Sequence, residues 1–102
     1  MCASQHPVQD LDEVVHQRAR LGILAVLAEA DRADFNYFKE TLQLTDGNLA
    51  RHLSVLEQAG FIQISKVFEG KRTRTWVSAT KSGKAAFAAE LKSLEALLKR
   101  LK

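Results

Sequence analysis

The chain has 102 residues, 46% of them apolar and 26% charged, with 15 Lys and Arg against 12 Asp and Glu for a net charge of +3. These proportions suit one globular domain with a single core, too small for a catalytic unit joined to a separate sensor. No apolar run approaches the ~18 residues that span a bilayer, the N-terminal stretch has no signal-peptide character, and a single cysteine, Cys2, excludes a disulfide framework or a multi-thiolate metal site. A cytoplasmic protein is expected.

Residues 1–9, with the only proline, Pro7, read as a disordered tail ahead of one domain over 10–102. Asp10 followed by Glu13 has capping-box spacing and predicts a first helix from about 11 to 30. Leu11, Val14, Val15, Leu21, Leu24 and Leu27 fall largely on one stripe of it. The stretch Asp31–Asp34 breaks the pattern, and Asn36 is the expected cap of a short helix over 37–42. After the link Gln43-Leu44-Thr45, Thr45 caps a third helix that runs to about 59 and stops at Gly60, the residue best able to take a left-handed conformation. Leu49, Leu53 and Leu56 turn one face of that helix inward, leaving Asp46, Asn48, Arg51, His52 and Val55 on the other.

The period then changes. Residues 61–68 (FIQISKVF) are β-branched, aromatic and partly alternating, the signature of a strand. Glu69-Gly70-Lys71-Arg72 is a glycine turn, and 73–79 (TRTWVSA) is the returning strand. Thr80 caps a last helix to about 101, where Phe87, Leu91, Leu94, Leu98 and Leu101 form a heptad seam suited to packing on another helix.

This order defines an α+β, mainly α architecture. A helix-turn-helix at about 36–59 is followed by a two-stranded wing at about 61–79 and a C-terminal dimerisation helix at about 80–101. Charge follows the same division. Residues 1–65 carry five bases against nine acids, net −4, whereas residues 66–102 carry ten bases against three acids, net +7. A basic second half raises the prior for a polyanionic partner.

Three segments resemble a known family: 16–27 (HQRARLGILAVL), 44–62 (LTDGNLARHLSVLEQAGFI) and 68–87 (FEGKRTRTWVSATKSGKAAF). In this order they are similar to the opening helix, recognition helix and wing of the small winged-helix transcriptional regulators related to the MarR and ArsR groups. The resemblance covers residues 15–98. It implies a homodimer that binds pseudo-palindromic duplex DNA and usually represses transcription.

Each residue type has a physical case. Asn48 has the donor–acceptor pair that reads adenine, and Arg51, one turn on, suits guanine or a phosphate. Gly47 admits a base edge or phosphate close to the backbone, Thr45 caps and can reach a phosphate, and Asp46 opposes a polyanion unless it accepts from cytosine or favours the helix N-terminus. His52 is read as a polar or DNA-facing residue. It lies on a different helix from His16, and the cysteine pair that metal-sensing relatives use is absent, so neither metal nor cofactor is expected. Lys66, Lys71, Arg72 and Arg74 cluster around the glycine turn, a shape that follows a backbone or enters a minor groove. Trp76 reads as hairpin packing.

For the dimer interface the candidates are Leu11, Val14 and Val15 of the first helix and Leu91, Leu94, Leu98 and Leu101 of the last. Any small-molecule effector would bind at that interface or between it and the helix-turn-helix. An enzyme is not expected. The glycines at 22, 47, 60, 70 and 83 are too scattered to cradle a phosphate, and neither a Gly-x-Ser-x-Gly elbow nor a His-Glu-x-x-His helix is present. The alternative is a winged-helix protein-interaction module without specific DNA binding, and Cys2 reads as an inert tail thiol.

Overall fold

In the computed structural model, residues 14, 15 and 17–101 are described. The elements in chain order are α1 (Arg18–Glu29), β1 (Ala33–Asp34), α2 (Phe35–Leu42), α3 (Asp46–Gln58), β2 (Ile62–Glu69), β3 (Arg72–Ala79) and α4 (Lys81–Leu101). The helices enclose a core that includes Ile23, Leu24, Phe38, Leu49 and Leu56. Ile62 and Val77 close it from the base of the sheet. Each such side chain contributes about 1.5–3 kcal/mol through burial.

The first helix starts later than the apolar spacing suggests. Val14 and Val15 lie in a turn, and the Gln17 side chain caps α1, its Oε1 accepting from the Ala19 and Arg20 N–H groups at 2.8 and 3.3 Å. Val15 is fully buried in the monomer's own core and Val14 packs half-buried against it, so neither offers the free face expected for a dimer. The Asp10–Glu13 spacing, Leu11, His16, Cys2 and the expected tail lie outside the described residues.

The break between α1 and α2 holds a third strand. β1 pairs antiparallel with β3 through Ala33↔Val77 and Asp34↔Trp76, giving the sheet order β1-β3-β2. Asp34, not Asn36, caps α2, because the strand leaves it extended with its Oδ1 2.8 Å from the Tyr37 N–H.

Helix α3 forms as its sequence dictates. Thr45 Oγ1 accepts from the Asn48 N–H at 3.2 Å. At the other end Gly60, at φ +81°, lets the Phe61 N–H reach the Leu56 carbonyl and its own N–H reach that of Glu57. The turn into α3 uses Gln43 at φ 54°, a left-handed conformation that a side chain adopts at some cost.

Thr80 joins this corner to α4. Its Oγ1 accepts from the Gly83 N–H at 3.0 Å and donates to the Gly60 carbonyl at 2.6 Å, while its N–H donates to Phe61 O at 3.0 Å. A Cβ at Gly83 would stand 1.9 Å from Phe61 O, so only glycine lets α4 sit here. Along α4, Gly83 and Glu90 face inward, whereas Leu91, Leu98 and Leu101 are 48%, 60% and 74% exposed. Phe87 and Leu94 are half-buried.

Candidate nucleic-acid interface

Three buried leucines fix how α3 is turned. With Leu49, Leu53 and Leu56 inward, Thr45, Asp46, Gly47, Asn48 and Arg51 are all exposed. A Cβ at Gly47 would meet nothing within 4 Å, so the backbone of the first turn is open to close approach. Asp46 is neutralised locally, its Oδ1 2.7 Å from Lys39 Nζ on α2. That pair removes the electrostatic objection to a polyanion at this helix end. Asn48 and Arg51 follow on the open face, and Arg51 forms no ion pair among the described residues.

His52 is placed differently from these. It is half-buried and lines a cavity with Gln17, Arg18, Thr41, Gln43 and Leu44, on the side of α3 turned toward α1. Burial holds its imidazole below the ordinary pKa of 6.5, and the positive charges of Arg20 and Arg51 push it down further. No group of three or more His, Cys, Asp or Glu that could hold a metal ion occurs among the described residues.

The hairpin register sorts the wing residues onto two faces. Ile62↔Ala79 and Ile64↔Val77 belong to the face that covers the core, and the alternation carries Lys66↔Thr75 and Phe68↔Thr73 onto the same face further out. The opposite face holds Ser65↔Trp76, Val67↔Arg74 and Glu69↔Arg72, together with Asp34 of β1.

Arg74 is engaged within this outer face. Its Nε lies 3.0 Å from Asp34 Oδ2, its Nη1 3.4 Å from Glu69 Oε2, and its guanidinium 4.9 Å from the centre of the Trp76 ring. Arg32 lies over the same ring at 4.0 Å. Trp76 is thus a packing platform for two arginines. Lys66, Lys71 and Arg72 are exposed and form no ion pair among the described residues, with Gly70 at φ +65° turning the tip between the strands.

Asp34 was not legible as a site residue. It caps α2 and holds the wing arginine at once, and the only local signal is an acid just before an amphipathic run. Two further cavities are lined by other residues. One, of about 670 Å³, is lined by Val26, Arg32, Ala33, Tyr37 and Trp76; the other, of about 430 Å³, lies between α1 and α4 against Leu27, Phe87 and Leu91.

Comparison with known proteins matches these features. An uncharacterized protein of Methanocaldococcus jannaschii is 40% identical over 75 residues, which is 74% of this chain and 82% of the relative. The solved structure of a transcriptional regulator homologue from Pyrococcus horikoshii superposes with a TM-score of 0.85 at 31% identity, covering 97% of this chain and 96% of that one. YusO of Bacillus subtilis shares the fold at a TM-score of 0.80 and 18% identity, over 96% of this chain and 69% of its own. Residues 19–98, from the first turn of α1 to near the end of α4, match the model of the winged helix DNA-binding domain, and the chain belongs to that family.

Proposed function

We propose that this chain is a sequence-specific duplex DNA-binding transcriptional regulator that works as a homodimer and represses by occupying its operator. The observation that carries the reading is the open face of α3. A solvent-open Gly47 backbone leads into an exposed Asn48 and Arg51, on a helix followed by a wing with three exposed cations, and none of the four cations forms an ion pair among the described residues. α3 enters the major groove with Asn48 on adenine and Arg51 on guanine or a phosphate. Thr45 and the Gly47 backbone lie against the sugar-phosphate chain, and Lys66, Lys71 and Arg72 hold the backbone beside it. Arg74 braces the wing from within instead of contacting DNA.

The second copy belongs on α4. Its 21 residues make a rod about 32 Å long on which Leu91, Leu98 and Leu101 are exposed among the described residues. Two copies related by a two-fold axis present two reading helices to a palindromic site. A dimer bound across its operator excludes other proteins from it, which makes repression the regulatory sign.

Fluorescence anisotropy of labelled genomic fragments across a salt series tests the proposal. Three uncommitted wing cations in each of two protomers give six phosphate contacts and a slope of log K against log salt near −5. Changing Lys71 and Arg72 to alanine flattens the slope. Absence of binding at low salt overturns the proposal and favours a protein-interaction role.

A further inference from the structure

Phe68 is the large apolar side chain that the fold leaves furthest from shelter among the described residues, at 80% exposure. It sits next to the glycine turn at the wing tip. The register puts it on the core-covering face of the hairpin, yet past the point where there is any core to cover: Ile62 is buried, Ile64 half-buried, and Lys66 and Phe68 are exposed. Its cross-strand neighbour is the short Thr73, which leaves the ring standing clear. Lys66 lies on the same face and Lys71 in the adjoining turn, while Arg72, paired with Glu69, belongs to the other face of the tip. An exposed aromatic ring at a hairpin tip that also carries Lys66, Lys71 and Arg72 is poorly matched to an apolar protein groove, where nearby charges would have to be desolvated. It is well matched to a polyanion with an apolar interior.

We propose that Phe68 is an apolar wedge that enters the minor groove of the bound duplex and partly unstacks a base step there. Proteins that bend DNA use Phe, Leu or Ile in this way, the ring opening a step while nearby cations hold the flanking phosphates. The reach is adequate. From Ile64, where the core ends, to Gly70 the extended strand spans roughly 20 Å, and the minor groove lies about 17 Å, half a turn, along the axis from a helix seated in the major groove. The wedge also gives the wing a sequence preference without hydrogen bonds, because pyrimidine–purine steps open most readily. This inference rests on the DNA-binding reading above and deepens it.

The test uses the full chain and a duplex selected from a random-sequence pool on the wild-type protein, labelled at both ends for energy transfer and with 2-aminopurine at single positions. Wild-type binding raises 2-aminopurine fluorescence at one step flanking each half-site and shortens the end-to-end distance. Phe68→Ala weakens binding roughly ten-fold and abolishes both signals, leaving the salt slope unchanged. Phe68→Leu retains most of both signals, since a smaller wedge still fits. Lys71→Ala does the reverse, reducing the slope by about 2 in a dimer while the unstacking signal persists. Because Phe68 is exposed, a melting temperature close to wild type shows that its variants are folded. Wild-type binding with neither bend nor unstacking overturns the wedge alone, as does a Phe68→Ala protein that bends DNA normally. Failure of the wild type to bind any duplex at low salt overturns both readings.

Discussion

Gly47 separates what helps the fold from what helps the interface. A glycine in the first turn of α3 costs about 1 kcal/mol of helix propensity relative to alanine, and there is room for a Cβ. Gly47→Ala is therefore expected to raise the melting temperature by several degrees and to weaken duplex binding, measured by thermal melts and anisotropy on the same preparation. His52 gives a prediction of opposite character. Its folded pKa lies below 6.5, so the unfolded chain takes up the proton first and stability falls as pH drops through 6.5 toward the folded value. Denaturant titrations at several pH values check this, with His52→Gln removing that part of the slope. The half-buried His52 was indistinguishable in sequence from the exposed Arg51 beside it. Adjacent helical positions differ by 100° in direction, and which of them meets α1 depends on a neighbour that periodicity does not name.

Elements with local signals were read closely, and those that depend on distant partners were not. Thr45, the leucine spacing and Gly60 bracket α3 within its own sequence, and its ends came out within a residue or so. β1 has two residues, too few for any period, and exists only because β3 passes beside it. The start of α1 was misplaced because Val14 and Val15 continue its apolar spacing although a turn buries them. Among the wing cations the sequence showed four equivalents, but Arg74 has its partner 40 positions away on Asp34. Arg74→Ala is accordingly expected to leave the salt slope of DNA binding nearly unchanged, in contrast to Lys71→Ala. Its cost in stability is about 1 kcal/mol or less, since Arg74 is half-exposed. At the α3–α4 corner Gly83→Ala drives a methyl into Phe61 O, and thermal melts are expected to show a loss of about 3 kcal/mol or more.

At the scale of the whole molecule, the exposed seam of α4 decides between one copy and two. Leu98→Lys places like charges on both sides of the proposed two-fold contact while disturbing little in the monomer, where Leu98 is 60% exposed. Sedimentation is expected to show dissociation to monomers with the melting curve of the isolated domain preserved, and duplex binding falling with it. The heptad spacing groups Phe87, Leu91, Leu94, Leu98 and Leu101, of which Leu91, Leu98 and Leu101 are exposed while Phe87 and Leu94 are half-buried. The buried Glu90 on the inner side of the same helix was not legible from sequence, because a charged residue in a helix reads as solvated until packing shows otherwise.

In the proposed dimer the close seat of α4 against Phe61 also fixes where the second copy stands. The helix leaves the α3 corner at an angle set by the Gly83 contact and the Thr80 hydrogen bonds, with Thr80 alone between β3 and α4. In a dimer joined through α4, that angle sets the separation of the two reading helices. In the proposed complex the corner is thus a gauge of operator length. In that complex α3 chooses the bases at each half-site, and the number of base pairs between the half-sites follows from a glycine at the α3–α4 corner.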